Sequence, residues 1–258
     1  MSRILPFDGV HNFRDFGDYA GADGRRMAKG RFFRSANHAR ASDADLQRLA
    51  ALNIAAIVDL RRPAERARDP SKRWEQFSAA VVDNHDDFEG HEPWENFIRA
   101  SDLTADSFRS YNLRFYADAP YMPRHLDLYA RYFTMLAEAD GAVLVHCTAG
   151  KDRTGLIVAL THALAGVHRD DIFADYLLTN DSDRVAKFGP LWAANLEREL
   201  GRRPTLDALA VAMSVEADYL HAALTAIEQR HGALETYLRE ALGVDARKRD
   251  AIEKRLFG

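Results

Sequence analysis

The chain contains very little cysteine, and this scarcity narrows its chemistry. Cys147 is the one cysteine among 258 residues. A single thiol cannot form a disulfide within the chain, and it cannot supply the several cysteines of a structural zinc site. Cys147 is therefore either a buried residue without a chemical role or a reactive nucleophile.

Long apolar runs are also missing. No stretch reaches the roughly 18 apolar residues that a membrane-spanning helix needs. The first ten residues include Pro6 and Asp8 and lack the apolar core of a signal peptide. We expect no integral membrane span and a cytoplasmic protein. Export by a route that does not use a signal peptide stays open.

A surplus of positive charge is absent as well. Lys and Arg number 35 against 39 Asp and Glu, which gives a net charge of −4, whereas nucleic-acid-binding proteins usually carry a basic excess. The 10 histidines form no HExxH motif and no pair four residues apart, so we predict no metal site. We expect no cofactor and no nucleic-acid partner, and the composition leaves the oligomeric state open.

The chain also lacks a linker rich in Pro, Gly or Ser, so we predict a single domain over residues 1–258. Its 47% hydrophobic content suits a globular protein with an ample core. Strand and helix patterns alternate before residue 166, which predicts an α/β fold with a mostly parallel central sheet flanked by helices. The region 170–258 is predicted to be helical and to pack on that core.

Several elements can be placed from their patterns. Continuous apolar runs at residues 53–60 and 142–146 predict strands buried on both faces, and weaker strand patterns lie near 30–34 and 79–82. Helices are predicted after a capping box of Ser42 and Asp45, from Pro123, over 154–165, over 172–179 with Asp170 as cap, and over 191–200, 215–229, 233–242 and 246–256.

Residues 86–120 interrupt this rhythm. They are rich in acidic and aromatic residues and have no long periodic face. The segment is predicted to be an insertion over the core, either an irregular surface excursion or a lid that faces the substrate.

The lone cysteine lies between a predicted buried strand and a predicted helix, in the sequence VHCTAGKDRTG at residues 145–155. Arg153 follows Cys147 after five intervening residues, a spacing that is weak evidence by itself because arginine is common in this chain. The flanking strand and helix give it weight. A strand–loop–helix turn directs backbone N–H groups inward at a helix N-terminus, where they bind anions and favour a thiolate.

Each part of this loop has a chemical reason. Gly150 allows a backbone conformation that a Cβ would hinder. Arg153 can hold two phosphoryl oxygens at once, Thr154 can donate its hydroxyl to the departing thiolate, and His146 can orient the cysteine. The alternative is a structural cysteine buried at the end of a strand.

Residues 146–155 resemble the phosphate-binding loop of the cysteine-dependent phosphatases, and more narrowly that of the atypical bacterial and fungal tyrosine phosphatases with lipid-phosphatase activity. The resemblance spans about residues 10–245, is weakest in 86–120, and implies a phosphatase α/β fold, a phosphocysteine intermediate and no metal. Other segments similar to that family are HNFRDFG from His11, FRSA from Phe33, VDLR from Val58 and DYLLTN from Asp175.

The general acid has two candidates. Asp152 lies inside the loop, and the resemblance implies that it matches the aspartate used by the atypical family. Conventional relatives use an aspartate on a separate upstream loop, for which Asp118 is the candidate, with Asp102 and Asp106 behind it. We favour Asp152, although it could instead tie the loop to an arginine. Asp59, at the carboxyl end of a buried strand, could support the loop or simply cap the strand.

We therefore expect a phosphomonoester hydrolase acting on phosphotyrosine, with activity on phosphoserine, phosphothreonine or phosphoinositides left open. Its partners would be a phosphorylated protein or a phosphoinositide, and Lys151 resembles the second cation of phosphoinositide phosphatases. One alternative is a non-catalytic phosphate-binding module that retains the loop, and another is a sulfur- or arsenate-transfer enzyme. The predicted catalytic residues are Cys147, Asp152 and Arg153, and the predicted phosphate-binding residues are Thr148, Ala149, Gly150, Lys151 and Arg153.

Overall fold

A five-stranded sheet forms the centre of the molecule in the computed structural model, which describes residues 3–86, 91–181 and 184–258. The strand order is β1-β2-β5-β3-β4, and only the β1–β2 pair is antiparallel. This is the mostly parallel α/β sheet that the sequence predicts. The strands are β1 (Arg14–Asp15), β2 (Phe32–Ser35), β3 (Ile54–Asp59), β4 (Ala80–Val82) and β5 (Ala142–His146).

The central strand β5 is buried at all of its residues, because it has strands on both edges and helices on both faces. Its parallel register places Ser35 of β2 and Asp59 of β3 beside His146. Three strands therefore end together at one edge of the sheet, directly before Cys147. The carboxyl ends of parallel strands are where α/β proteins gather their functional residues.

Helices cover both faces of the sheet. The capping box of Ser42 and Asp45 and the start of a helix at Pro123 are confirmed, whereas His168 caps the helix that we expected Asp170 to begin. The helices are α1 (Asp43–Ala50), α2 (Pro63–Arg68), α3 (Trp94–Ala100), α4 (Ala105–Asp118), α5 (Pro123–Glu138), α6 (Asp152–Leu164), α7 (Arg169–Leu177), α8 (Arg184–Leu200), α9 (Leu206–Met213), α10 (Ala217–His231), α11 (Leu234–Glu240) and α12 (Ala246–Phe257).

Most of the 86–120 segment is helical, since it contains α3 and α4. Its residues 87–90 lie outside the described residues. The aromatic side chains of these helices form a separate apolar cluster with α8 and α9, in which Phe97 stacks on Tyr111 and Trp94 stacks on Trp192. The segment therefore joins the early part of the chain to the tail.

The tail helices share the main core of the molecule. Helix α10 packs against α4, and α12 packs against α5. Buried tail residues such as Leu220, Ile227 and Ile252 belong to the same apolar cluster as the strands β3 and β5. Among the described helices, none is long and apolar enough to cross a membrane.

Candidate active site

The Cys147 loop links the end of β5 to the start of α6 at the carboxyl edge of the sheet. Cys147 is 2% exposed, and the loop runs from it to Lys151 before the helix begins at Asp152. The sequence-predicted strand, loop and helix are thus found in the expected order. The first turn of α6 directs its N–H groups and its positive dipole end at the space enclosed by the loop.

The carbonyl groups of the loop are held on its outer side. The Gly150 carbonyl accepts hydrogen bonds from Asn12 Nδ2 at 2.7 Å and from Arg34 Nη2 at 2.9 Å. The Thr148 carbonyl accepts from the Asn37 backbone N–H at 3.2 Å and from its side-chain amide at 3.1 Å. Because C=O and N–H of a trans peptide point in opposite directions, these bonds turn the N–H groups of Ala149 and Lys151 inward.

Gly150 is required by the path of the loop. Its φ is +64°, and a Cβ at this position would lie 2.4 Å from the backbone carbonyl of Ser35. A side chain would therefore meet both an unfavourable backbone conformation and a rigid strand. The absence of a Cβ lets the loop pack directly on the end of β2.

Two buried arginines and one aspartate lie beneath the loop. Arg34 Nη1 is 3.0 Å from Asp175 Oδ2, and Arg14 Nε is 3.4 Å from Asp175 Oδ1. Burial alone would raise the pKa of Asp175, but the Arg14 and Arg34 charges outweigh it and lower that pKa to about 2. The cluster carries a net positive charge, which favours an anion in the loop above it.

Arg153 is held by Glu65 in a two-pronged ion pair. The Nη1 and Nη2 groups of Arg153 lie 2.7 and 2.8 Å from the two carboxylate oxygens, and Nη1 also donates to the Leu60 carbonyl. Glu65 accepts a further hydrogen bond from the Thr148 hydroxyl. Burial would raise the pKa of Glu65, but the Arg153 charge and these hydrogen bonds lower it well below its usual range.

The two candidate acids have different surroundings. Asp152 Oδ1 accepts a hydrogen bond from the Tyr116 hydroxyl at 3.0 Å, and that hydroxyl accepts one from Tyr176 at 2.7 Å. Asp118 is 55% exposed at the end of α4 and pairs with His91 at 2.9 Å. It makes no hydrogen bond or ion pair to the loop within the described part of the chain.

Supporting side chains pack behind the cysteine. His146 Nδ1 lies 3.3 Å from the Cys147 carbonyl, and Nε2 lies 3.7 Å from Asp59 Oδ2. Burial lowers the pKa of His146 to about 4, so its imidazole is neutral at pH 7. Arg61 forms a bidentate pair with Asp59. The buried Thr154 hydroxyl finds no hydrogen-bond partner within the described residues.

Lys151 is turned toward the tail helices. Its side chain is buried, and its Nζ donates to the Ala212 carbonyl in α9 at 2.8 Å. The same Nζ lies 3.7 Å from Asp152 Oδ2. The loop is thus fastened to the tail by a charged hydrogen bond.

A cavity of about 340 Å³ adjoins the loop on the side of Thr148 and Ala149. Helix α8 supplies an apolar wall, and the segment before α1 supplies a polar wall with Asn37 and Arg40. The residues of the apolar wall are Phe188, Leu191 and Trp192.

The structure adds residues that the sequence did not single out, chiefly Glu65, Tyr116, Tyr176 and Asn12. Asn12 and Tyr176 lie in segments that resemble the family, and this was the one available signal for them. Glu65 lies 88 residues from its partner Arg153, and Tyr116 lies 36 residues from its partner Asp152. Only the folded chain brings them to these partners.

The sheet, the cysteine loop at its carboxyl edge and the arginine beside it define a cysteine-dependent phosphatase. The comparison with known families agrees, because residues 5–258 match the model of a tyrosine phosphatase family. The chain belongs to that family.

Named relatives cover most of the chain. A protein of Cupriavidus necator that carries the name tyrosine-protein phosphatase is 38% identical over 244 residues, which are 93% of this chain and 85% of the relative. The triple specificity protein phosphatase PtpB of Mycobacterium tuberculosis is 34% identical over 266 residues, 93% of each chain. A tyrosine-protein phosphatase of Nostoc commune is 30% identical over 235 residues, 87% of this chain and 74% of the relative.

Proposed function

We propose that this tyrosine phosphatase works through attack of the Cys147 thiolate on the phosphorus of a phosphotyrosine. The S–P bond forms while the P–O bond to the tyrosine breaks, and the oxygen that leaves takes a proton from Asp152. Water then attacks the phosphocysteine and gives its proton to the Asp152 carboxylate. The S–P bond breaks, phosphate leaves, and the thiolate is restored with the Thr154 hydroxyl as a hydrogen-bond donor.

The outward-held carbonyls of the loop are the observation that carries this proposal. Asn12, Arg34 and Asn37 bind the carbonyls of Gly150 and Thr148. The opposed N–H groups are therefore oriented before substrate arrives, so they can stabilise phosphoryl oxygens without reorganisation. The backbone N–H groups are neutral and cannot compensate the negative charge of the phosphoryl group. The cluster of Arg14, Arg34 and Asp175 below the loop carries a net positive charge that does so.

Arg153 completes the phosphate site in this proposal. Its guanidinium is fixed by Glu65 and by the Leu60 carbonyl, which limits the rotamer freedom that it would lose on binding an anion. As charge spreads over the phosphoryl oxygens in the transition state, a fixed guanidinium stabilises it more strongly.

The test of the nucleophile is Cys147→Ser. Turnover of p-nitrophenyl phosphate is expected to be lost, while binding of vanadate or phosphate is retained because the loop N–H groups and Arg153 are unchanged. Full turnover by the variant would disprove the mechanism. Loss of turnover with loss of anion binding would indicate that the loop had collapsed, and a melting curve of the variant would show this directly.

The two aspartates form a matched pair for the acid. Asp152→Asn is expected to reduce kcat/KM for phenyl phosphate by about 10²–10⁴-fold, the usual contribution of a general acid. Asp118→Asn is expected to leave it unchanged, since that carboxylate pairs with His91. The reverse result would assign the acid role to Asp118.

The substrate range beyond phosphotyrosine is a further part of the proposal. The relative from Mycobacterium tuberculosis is named for triple specificity, and the loop carries Lys151 beside Arg153 as a second cation. Lys151 Nζ donates to the Ala212 carbonyl, and an ammonium group has three N–H donors, so a second phosphate would share Nζ with α9.

A panel of phosphotyrosine peptide, phosphothreonine peptide and phosphoinositide on one preparation tests this range. If Lys151 binds a second phosphate, Lys151→Met is expected to reduce phosphoinositide turnover more than peptide turnover. An equal reduction of both activities would mean that Lys151 only stabilises the loop through its hydrogen bond to α9 and does not bind a second phosphate.

A further inference from the structure

Two buried phenols connect the candidate acid to the core of the molecule. Tyr176 donates to the Tyr116 hydroxyl at 2.7 Å, and Tyr116 donates to Asp152 Oδ1 at 3.0 Å. Tyr116 lies on α4, Tyr176 on α7 and Asp152 at the start of α6. Three separate helices thus meet in one chain of hydrogen bonds that ends on the acid.

The direction of this chain follows from its end group. An ionised carboxylate only accepts hydrogen bonds, so the single proton of Tyr116 is directed to Asp152. The Tyr116 oxygen is then left to accept from Tyr176. A donor that itself accepts a hydrogen bond is polarised and donates more strongly.

Both phenols keep their protons over the working range of a phosphatase. Tyr116 is fully buried, and burial together with the Asp152 charge raises its pKa well above that of a free phenol. Burial likewise raises the pKa of Tyr176. Tyr116 therefore retains the proton that it donates to Asp152 Oδ1.

We propose that Tyr116 and Tyr176 are positioning residues for Asp152, which reserve its Oδ1 as an acceptor and thereby assign the acidic proton to Oδ2. This inference rests on the proposed role of Asp152 as the general acid. When the P–O bond of the substrate breaks, the proton on Oδ2 passes to the oxygen that leaves, and the resulting carboxylate keeps its hydrogen bond to Tyr116.

Among the described residues, the other groups near Asp152 do not replace this bond. Lys151 Nζ lies 3.7 Å from Oδ2, beyond hydrogen-bond distance, and donates to Ala212. The Tyr219 ring packs 5.7 Å from that of Tyr116. Tyr116 is accordingly the group whose removal would most directly free the Asp152 carboxyl to rotate.

The experiment measures how kcat/KM depends on the leaving group. A series of aryl phosphates from p-nitrophenyl to phenyl needs protonation least for the nitrophenolate and most for the phenolate. Tyr116→Phe is expected to lower kcat/KM about tenfold on phenyl phosphate, as for the loss of one good hydrogen bond. Turnover of p-nitrophenyl phosphate should change little, and Tyr176→Phe should show the same trend more weakly.

Tyr132→Phe is the matched control. Tyr132 is as fully buried as Tyr116, but its hydroxyl bonds Thr161 at 2.9 Å, further along helix α6, and not Asp152 at the start of that helix. It should lower kcat/KM equally across the series or not at all. A merely structural role for Tyr116 would give this same flat result and would overturn the inference.

Asp152→Asn separates this inference from the proposed acid. A steeper leaving-group dependence in Asp152→Asn, without one in Tyr116→Phe, would retain the acid and reject the positioning role. An unchanged dependence in Asp152→Asn would reject both. Should Tyr116→Phe fail to fold, Tyr176→Phe decides the matter, since it removes one hydrogen bond and leaves Tyr116 in place.

Discussion

At the scale of single residues, Glu65 links the loop to the rest of the site. It binds Arg153 through both oxygens, accepts from Thr148, and closes the first turn of α2 by accepting the Arg62 backbone N–H at 2.8 Å. One buried carboxylate thus fixes an arginine, a loop and a helix end.

Replacing this charge should damage both binding and stability. Glu65→Gln leaves Arg153 in a mostly buried place without its counter-charge, and breaking such a pair costs about 3–5 kcal/mol. We expect a lower melting temperature, weaker inhibition by vanadate and reduced kcat/KM for p-nitrophenyl phosphate. Glu95→Gln removes a half-exposed partner of Arg62 and should change none of the three. An unaltered vanadate affinity in Glu65→Gln would contradict the assigned contact.

The sequence singles out the proposed reactive residues more readily than the residues that support them. Cys147 and Arg153 lie in one short segment, so their spacing and the flanking strand pattern indicate them from the sequence alone. Glu65 and Tyr116 are an ordinary helix glutamate and one aromatic among many until the fold brings them to the loop. No local pattern encodes a contact across 88 residues.

At the scale of elements, the loop depends on Gly150. Any other residue at this position would meet both backbone strain and a steric clash. Gly150 and Gly201 have nearly the same φ, +64° and +65°. A Cβ at Gly150 would meet Ser35 at 2.4 Å, whereas at Gly201 nothing lies within 4 Å. The pair separates conformational strain from steric conflict.

Gly201→Ala should cost about 1–2 kcal/mol, the strain of a left-handed alanine, with activity unchanged. Gly150→Ala should lose more stability and nearly all turnover, because the loop must move away from β2. Urea unfolding and p-nitrophenyl phosphate assays on both variants measure the difference. Equal losses of stability in the two would mean that the loop accommodates a side chain.

The predictable elements are those with a strong local signal. The apolar runs of β3 and β5, the capping box of α1 and the proline start of α5 are confirmed. The 86–120 segment shows no long periodic face in the sequence, yet α4 is a helix of 14 residues that buries Phe108, Tyr111, Asn112 and Tyr116. The polar Asn112 and the charged residues between these positions conceal the helical period.

Other helix boundaries differ from the sequence prediction for local reasons. Helix α8 begins at Arg184, whereas the sequence predicts a start near Leu191. The difference arises because Pro190 lies in the first two turns of the helix, and a proline in a sequence usually indicates a helix boundary. Helix α9 was not predicted, since Leu206–Met213 is short and mostly apolar and shows little periodicity.

At the scale of the whole molecule, buried titratable groups make stability depend on pH. Burial lowers the pKa of His146 to about 4 and that of His125 to about 3, and it also lowers the pKa of His38 and His162. The unfolded chain, with histidines near 6.5, therefore binds more protons below that pH. As the pH falls from the unfolded pKa to the folded pKa of such a histidine, that histidine lowers the free energy of unfolding by about 1.4 kcal/mol per pH unit.

We expect the melting temperature to fall steadily between pH 6.5 and 4. The depressed pKa of Asp175 adds a further loss below about pH 4, as that carboxylate gains a proton more readily in the unfolded chain. His125→Gln should flatten the dependence of melting temperature on pH. His85→Gln, at a side chain that is 89% exposed, should leave it as it is. A pH-independent melting temperature in the parent protein would contradict the burial of these groups as neutral rings.

The hydrogen bonds that shape the loop join parts of the chain that lie far apart in sequence. Asn12 and Gly150 are 138 residues apart, and Arg34 and Gly150 are 116 apart. Contacts of such long range form late during folding, because the chain must lose the entropy of closing a long loop before the contact can stabilise it. In refolding from urea, helical ellipticity should return before phosphatase activity does. Enzymatic turnover would then serve as a clock for the last stage of folding, when the amino-terminal segment docks.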